Sequence, residues 1–285
     1  MIGRPIRGAL FADRTHVMTS ALLNHADRLR AGQPTFTAWI GNSDPMIPDV
    51  LARESFDSIT LDMQHGMHDD VSVLRGISMA ALAGKPALVR IALEDFSFAS
   101  RALDYGAVGI IAPMINSVAD ARKLVAATKY PPLGERSWGP IRALPLTGLS
   151  AQDYLSRANS FISTIAMIET QAALDALDDI LAIDGIDGVF VGPSDLSIAL
   201  FKGGRVDAGA PEVDAALLHV VARAKAHGKF ATAFTMSGAR AAVHAQMGYV
   251  MMTLGTDTLI LQAGARAELA AARGGGSGPK ATSGY

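Results

Sequence analysis

The residues best suited to chemistry in this chain each lie in or just after a short apolar run, and they are Asp62, His65, Arg90, Glu169 and Asp195. Glu169 and Asp195 follow two consecutive runs of this kind. Two carboxylates placed side by side repel each other, so they either share a proton or bind a cation. A hard divalent ion such as Mg²⁺ or Mn²⁺ suits an all-oxygen pair, with water in its remaining positions. The alternative is that each carboxylate caps the helix that follows it.

His65 is the histidine best placed for proton transfer, in the string Leu61-Asp-Met-Gln-His-Gly-Met-His68. An imidazole just past a strand, with Asp62 shortly before it to orient the ring, suits general acid–base catalysis. The alternative is a loop histidine that is hydrogen-bonded to the backbone. A zinc site formed with His68 lacks a third ligand nearby.

Arg90 lies inside the apolar run Ala87-Leu-Val-Arg-Ile91. An arginine is almost never buried without a partner. It therefore either pairs with a carboxylate of the protein, for which Glu169 is the candidate, or binds an anionic ligand such as a carboxylate or enolate.

The seven lysines are poorly placed for covalent chemistry, since none follows a predicted strand closely. Lys85 and Lys229 precede their strands, at the opposite end from the candidate residues. The sequence thus argues against an enzyme that works through a Schiff base on lysine.

Eight apolar runs, each followed by a helix-like stretch, position these residues: Thr35–Ile40, Ser58–Met63, Pro86–Ile91, Gly109–Met114, Ser163–Glu169, Gly188–Pro193, Phe230–Thr235 and Gly248–Gly255. The runs are continuous rather than alternating, which is typical of parallel strands buried on both faces. Eight strand–helix units predict a (β/α)₈ TIM-type barrel, with its active site at the carboxyl ends of the strands. The competing doubly wound sheet is expected to carry a glycine-rich turn after its first strand, and Gly41-Asn-Ser-Asp44 is not one.

Residues 20–272 are predicted to form the barrel, after an N-terminal extension (1–19) and before a disordered Gly/Ser-rich tail (273–285). Two connections, Tyr130–Ser160 and Ser194–Ala210, are too long for simple turns, and we predict that they are lids or substrate walls on the carboxyl face.

Composition excludes several classes of protein. A hydrophobic content of 49% over 285 residues allows one large core. A net charge of −2 gives no reason to expect a nucleic-acid partner. The chain has no cysteine, which excludes disulfides and thiolate sites and fits the cytoplasm. No uncharged apolar run approaches the roughly 20 residues of a membrane span.

The chain resembles the HpcH/HpaI class II aldolases, over roughly residues 20–272, in five strings that occur in the expected order. They are Leu61-Asp-Met-Gln-His-Gly66, Tyr130-Pro-Pro-Leu-Gly-Glu-Arg136, Ala166-Met-Ile-Glu-Thr170, Asp184-Gly-Ile-Asp-Gly-Val-Phe-Val-Gly-Pro-Ser-Asp-Leu196 and Gly255-Thr-Asp-Thr258. The resemblance implies reversible aldol cleavage of a 4-hydroxy-2-oxo acid to pyruvate, or hydroxypyruvate, and an aldehyde.

The resemblance also implies roles for individual residues. Glu169 and Asp195 match the metal ligands, for Mg²⁺ or Mn²⁺ with Co²⁺ or Zn²⁺ as further candidates. Arg90 matches the arginine that contacts the pyruvyl oxygen, His65 the catalytic histidine, and Asp62 its supporting aspartate.

Three further implications concern the substrate carboxylate and the assembly. Gly192 and Ser194, on either side of Pro193, match positions whose backbone amides bind that carboxylate. Asp104 matches an aspartate that reaches a neighbouring subunit's site. The implied fold is a barrel whose last helix is exchanged between subunits, in hexamers built as dimers of trimers.

Four residues depart from this pattern or mark a subgroup. Many members have glutamate at the position of Gln64 and glutamine at that of Met167, and Trp138 and Pro140 suggest a separate specificity. Two rival functions stay open from the sequence. One is a metal-dependent lyase acting on an acyl-CoA thioester, and the other is a catalytically silent barrel that binds or assembles.

Overall fold

A computed structural model of the chain describes residues 21–274. Within them, eight parallel strands follow one another in sequence order around a closed barrel. The strands are β1 (Thr35–Ile40), β2 (Ser58–Asp62), β3 (Ala87–Arg90), β4 (Gly109–Ala112), β5 (Ser163–Ile168), β6 (Gly188–Val191), β7 (Phe230–Ala233) and β8 (Met251–Thr256). Strand β1 pairs with both β2 and β8. The predicted TIM-type barrel is confirmed, and the open doubly wound sheet is excluded. The extension at 1–19 and most of the tail at 273–285 lie outside the described residues.

Helices surround the barrel. They are α1 (residues 21–30), α2 (Met46–Ala52), α3 (Asp70–Leu82), α4 (Phe96–Tyr105), α5 (Val118–Thr128), α6 (Ala143–Thr147), α7 (Ala151–Phe161), α8 (Gln171–Asp175), α9 (Leu177–Leu181), α10 (Pro193–Leu200), α11 (Pro211–Ala226), α12 (Gly238–Met247) and α13 (Asp257–Ala272). The side chain of Ser117 accepts a hydrogen bond from the Asp120 amide and so caps α5.

Apolar residues of each strand divide between two buried layers. One fills the barrel interior, with Trp39, Leu88, Met167 and Phe190 among its members. The larger one lies between the strands and the helices. Because both faces of every strand are covered, the runs are continuously apolar instead of alternating.

The prediction that Tyr130–Ser160 forms a lid on the carboxyl face is wrong. This connection joins the end of α5 to the start of β5, so it lies at the amino end of the barrel and contains α6 and most of α7. Its length does not reveal which end of the barrel it covers, because helix-to-strand and strand-to-helix connections can both be long. Ser194–Ala210 does follow a strand, β6, and contributes to the carboxyl face as predicted.

Helix α13 extends away from the barrel, and the rest of the described chain covers little of its surface. Its residues 261–270 are all exposed, and the side chains of Leu261 and Leu269 are 70% and 52% accessible. Such a helix gains little from packing against its own barrel. Across residues 21–274, no helix combines the length and hydropathy that crossing a bilayer requires.

Candidate active site

Asp62 and Arg90 form a buried ion pair at the carboxyl ends of β2 and β3. The two residues are register partners on these neighbouring strands. Arg90 donates from Nε to Asp62 Oδ1 at 2.8 Å and from Nη2 to Oδ2 at 2.6 Å. This bidentate geometry fixes the plane of the guanidinium group.

Sequence reasoning named Glu169 as the internal partner of Arg90, and the structure corrects this to Asp62. The reason is register: Asp62 ends the strand next to Arg90, whereas Glu169 follows β5, two strands away. Burial raises the pKa of the Glu169 carboxyl, and the charge of Arg90 offsets part of that rise.

Asp62 accepts hydrogen bonds from several further donors. Trp39 Nε1 donates to its Oδ2 at 3.1 Å, and the amides of Gln64 and His65 donate to its Oδ1 at 3.0 and 3.3 Å. Burial favours a higher pKa, but the hydrogen bonds and charge of Arg90, with the other donors, lower the pKa of Asp62 below its ordinary value. Asp62 is therefore a fixed anion that orients its neighbours.

His65 lines the central cavity, and its side chain is exposed. Among the described residues, Asp62 bonds to the backbone amide of His65 and not to its imidazole. Asp62 therefore does not orient the ring as expected. It fixes the backbone of the loop that carries His65. Gly66 tightens this loop, since a side-chain carbon there would lie 2.1 Å from the Asp62 carbonyl oxygen.

Glu169 follows β5 directly and is 2% accessible. Its Oε1 accepts a hydrogen bond from the Met114 amide at 2.8 Å. Burial raises the pKa of Glu169, and the nearby charge of Asp195 raises it further. A cation bound beside Glu169 would stabilise its ionised form and lower its pKa again.

Gly192 leaves a gap between the two carboxylates. A side-chain carbon at this position would lie 3.0 Å from Glu169 Oε2 and 3.7 Å from Asp195 Oδ2. The capping alternatives are wrong. Thr170 caps α8 by accepting from the Ala173 amide at 3.0 Å, and α10 begins after Gly192, with Asp195 inside its first turn.

The donor set around this gap fits a hard divalent cation. Glu169 Oε2 and an Asp195 oxygen face one position, and both ligands are oxygen. Across residues 21–274, no cluster of three or more His, Cys, Asp or Glu side chains has metal-binding geometry. Two carboxylates with water or substrate oxygens suit Mg²⁺ or Mn²⁺, which tolerate few protein ligands, better than a closed zinc site.

Gly192 and Asp195 line a cavity of about 380 Å³, together with His65 and Arg90 among others. Trp39, Phe190 and Phe234 form its aromatic wall, with Trp39 packed 5.4 Å from Phe190 and 5.5 Å from Phe234 between ring centres. A small organic acid fits such a volume.

Pro193 and Ser194 line the same cavity at the start of α10. Since proline has no N–H, the amides available at this helix start are those of Ser194 and the residues after it. An N-terminus of this kind favours an anionic group.

Asp104 does not reach the cavity of its own barrel. It lies in the last turn of α4, which runs toward the amino ends of the strands. There it accepts a hydrogen bond from Arg136 Nη2 at 2.7 Å. Arg136 has a side-chain accessibility of 0% and stacks on Tyr130, with its guanidinium carbon 4.6 Å from the ring centre.

Sequence reasoning missed three residues of the site. Trp39 is the next-to-last residue of β1, and its place near the carboxyl end of a predicted strand is the signal that could have identified it. Met114, which has a left-handed backbone with φ at 54°, contributes its amide to Glu169, and its side-chain type gives no signal for such a backbone contact. Asp257, 6% accessible, accepts a hydrogen bond from the Asn42 amide at 2.9 Å and lines the cavity. The resemblance includes its string Gly255-Thr-Asp-Thr258 but assigns Asp257 no role.

The positions of the described lysines do not support Schiff-base chemistry in the cavity. The described residues that line the cavity include no lysine. Lys85 and Lys229 donate to carbonyl oxygens near the amino ends of the strands, and Lys129 is buried against Asp187 at 2.7 Å. We therefore expect that borohydride reduction in the presence of pyruvate leaves the mass of the protein unchanged. A pyruvyl adduct seen by mass spectrometry would contradict this prediction.

Comparison with known proteins agrees with this geometry. The sequence matches the family described as HpcH/HpaI aldolase/citrate lyase over residues 35–263. It is 39% identical to the hydroxypyruvate/pyruvate aldolase of Rhizorhabdus wittichii over 242 residues, which cover 85% of this chain and 95% of that protein.

Two more similarities are of the same kind. The 4-hydroxy-2-oxo-heptane-1,7-dioate aldolase of Salmonella dublin is 34% identical over 241 residues, which cover 85% of this chain and 91% of that protein. A crystal structure of an HpcH/HpaI aldolase/citrate lyase family protein from Burkholderia cenocepacia superposes with a TM-score of 0.80 at 29% identity, covering 88% of this chain and 99% of that one.

Proposed function

The chain belongs to the HpcH/HpaI aldolase/citrate lyase family and is a class II aldolase, and on that premise we propose that it cleaves 4-hydroxy-2-oxo acids reversibly in the cytoplasm. The products are pyruvate or hydroxypyruvate and an aldehyde. The observation that carries the proposal is the space beside Gly192, which the carboxylates of Glu169 and Asp195 both face because glycine has no side chain. Arg90 and the start of α10 line the same cavity.

Glu169 and Asp195 would hold the divalent cation that class II chemistry requires. A bound cation supplies Lewis-acid stabilisation of the negative charge that develops on the keto oxygen. Mg²⁺ and Mn²⁺ match the oxygen donors best, and Co²⁺ or Zn²⁺ remain further candidates.

The residues of the chain bind and orient the rest of the substrate. The Ser194 amide at the start of α10, beside Gly192 and Pro193, binds the carboxylate of the 2-oxo acid. Arg90, held in plane by Asp62, adds positive charge beside the keto oxygen. His65 accepts the proton of the C4 hydroxyl as the C3–C4 bond breaks, and the aldehyde leaves. The enolate of the 2-oxo acid then takes a proton from solvent at C3, and His65 releases to solvent the proton that it accepted.

Two departures from the family pattern bear on specificity. Met167 is 1% accessible, and its Cε lies 3.4 Å from the position of a side-chain carbon at Gly192, so an apolar group adjoins the two carboxylates. Within the described part of the chain, the buried Oε1 of Gln64 has no hydrogen-bond partner. Both observations support the proposal that this chain differs from other family members in which substrates it prefers.

The acyl-CoA alternative lacks a supporting observation. A CoA site needs a basic groove for phosphates, and the described lining of the cavity has no lysine and one arginine, Arg90, which is paired with Asp62. A catalytically silent barrel does not fit a chain that belongs with named aldolases along most of its length.

A substrate screen tests the proposal. Pyruvate and hydroxypyruvate are offered to a panel of aldehydes, with and without added Mg²⁺ or Mn²⁺, and adducts are measured by mass spectrometry. We expect metal-dependent formation of 4-hydroxy-2-oxo acids. The proposal is overturned if no aldehyde reacts and pyruvate C3 protons do not exchange with solvent.

Assembly is part of the proposal. The exposed apolar residues of α13 support a hexamer, a dimer of trimers in which this helix packs on a neighbouring subunit. Asp104, remote from its own His65, would then approach the site of a neighbour.

Deleting the chain from Thr258 onward is expected to abolish both assembly and aldolase turnover, because α13 would no longer bridge subunits. Light scattering measures the mass, and an aldol assay measures the activity. Substituting Leu261 and Leu269 by serine provides a milder variant that keeps the helix. A full-length monomer with complete turnover would disprove the assembly proposal.

A further inference from the structure

Asp257 begins α13 and lines the central cavity, yet no step of the proposed reaction uses it. It is only 6% accessible. Its Oδ2 accepts a hydrogen bond from the Asn42 amide at 2.9 Å, and its Oδ1 accepts one from the Thr258 amide at 2.8 Å. Hydrogen bonds from backbone amides to an ionised carboxylate are about twice as strong as neutral ones. Asp257 therefore joins the first turn of α13 firmly to the connection that follows β1.

The connection after β1 lies directly against the loop that carries His65. The ladder between β1 and β2 ends with the pair Ile40 and Leu61, so contacts beyond the sheet must hold the two connections together. One such contact is a hydrogen bond from the Met67 amide to the Gly41 carbonyl oxygen at 2.7 Å. The position of the His65 loop thus depends on the position of Gly41.

Two glycines allow the backbones of these connections to approach closely. A side-chain carbon at Gly66 would lie 2.9 Å from the Gly41 carbonyl oxygen, so a larger residue there would push the connections apart. On the other side, the position of a side-chain carbon at Gly41 lies 3.7 Å from Asp257 Oδ1. Gly41 is therefore enclosed between the Asp257 carboxylate and the His65 loop, and a displacement on one side is transmitted to the other.

The His65 loop needs this second support because Asp62 holds only the end next to β2, through the amides of Gln64 and His65. Since Asp62 contacts the backbone of His65 and not its ring, the place of the ring in the cavity follows from where the loop lies. A catalytic group must be held within about 0.5 Å of its productive position. The Met67 end of the loop is held by Gly41, which Asp257 supports.

We infer that Asp257 is a positioning residue for His65 and acts through the Asn42 amide and the backbone of Gly41. Backbone amides engage both of its carboxylate oxygens, so its role is to hold the chain and not to bind the substrate. The inference rests on the proposed aldolase function. It adds to that function a residue on which transfer of the C4 hydroxyl proton depends, on an element far from His65 in sequence.

The test measures cleavage of the adduct of pyruvate and the aldehyde that reacts fastest with wild-type protein. In Asp257→Ala we expect kcat to fall by about tenfold to a hundredfold, because displacing a catalytic group by about 1 Å can cost a hundredfold. KM should change by less than about twofold, because Arg90 and the start of α10, which bind the substrate, belong to other parts of the barrel. Exchange of pyruvate C3 protons should be unaffected, because that proton passes to solvent and not to His65.

Further variants separate a positioning role from an independent one. Adding Asp257→Ala to His65→Ala should lower kcat by less than about twofold, whereas independent effects would multiply. Asp257→Asn keeps an oxygen that can accept from the Asn42 amide, so it should recover part of the rate, and it carries the same comparisons if Asp257→Ala does not fold. Asp44→Ala is the matched control and should change no rate. Asp44 is an exposed aspartate of the same connection, and its Oδ1 accepts from the Met46 amide at 2.9 Å.

A loss of kcat with normal C3 exchange, and no further loss in the double variant, supports the inference. Parallel losses of cleavage and C3 exchange would show a general structural role for Asp257, and multiplied losses in the double variant would show a role independent of His65; either result overturns it. Wild-type rates in the Asp257 variants overturn it as well. Wild-type protein without C3 exchange would instead refute the aldolase function itself.

Discussion

Replacing Arg90 by alanine is expected to lower kcat/KM for aldol cleavage by about a hundredfold or more, the usual loss when a group that stabilises a developing oxyanion is removed. The loss should exceed that of His65→Ala, because Arg90 stabilises charge in the bond-breaking step whereas His65 relays one proton. Exchange of pyruvate C3 protons should fall in parallel, since it passes through the same negatively charged oxygen.

Arg90 also pairs with Asp62 in a buried position, so the variant needs a control for stability. Removing one partner of a buried ion pair leaves the other charge uncompensated and destabilises the fold. Melting temperature and circular dichroism should therefore accompany the kinetics. Arg53→Ala, at an exposed arginine that pairs with Asp49, provides a matched control without effect on turnover. If C3 exchange persists unchanged in a folded Arg90→Ala protein, Arg90 is an ordinary ion-pair residue.

Removing divalent cations should abolish activity, and adding Mg²⁺ or Mn²⁺ should restore it. Without a cation the charge on the keto oxygen loses a Lewis acid worth several kcal/mol, which corresponds to about a hundredfold or more in rate. Turnover after exhaustive chelation, with metal content verified by elemental analysis, measures the effect. Full activity in metal-free protein would exclude the mechanism.

Asp195→Asn and Glu169→Gln test the ligands independently of turnover. Each should weaken Mn²⁺ binding, measured by calorimetry, while Asp179→Asn at an exposed position on α9 should not. Because the two carboxylates repel each other in the metal-free protein, neither substitution should lower the melting temperature of the metal-free protein. Unaltered Mn²⁺ affinity in both variants would remove these residues from the metal site.

Much of the architecture could be predicted from the sequence because burial on both faces of a parallel strand imposes a readable pattern. The continuous run Gly109-Ile-Ile-Ala-Pro-Met114 is such a case, and the strand observed there is Gly109–Ala112. Position in the barrel then follows from order along the chain. Residues at or just past the carboxyl ends of strands, such as Asp62 and Glu169, must lie at one end of the barrel, whatever their separation in sequence.

Partnership between side chains could not be predicted in the same way. The sequence placed Arg90 in a buried strand and required a partner, but only the register of β2 against β3 selected Asp62 over Glu169. The Met114 amide donates to Glu169, and no local pattern of residues predicts this contact or the left-handed backbone of Met114.

By itself the sequence determined the barrel and the location of the candidate residues at the carboxyl ends of its strands. Only the tertiary structure decided that Tyr130–Ser160 lies at the amino end of the barrel and that Asp104 is remote from its own cavity. The physical reason is the range of the interactions. Burial and backbone periodicity act on neighbours along the chain, whereas pairing, cavities and charge coupling depend on elements far apart in sequence that the closed barrel brings together.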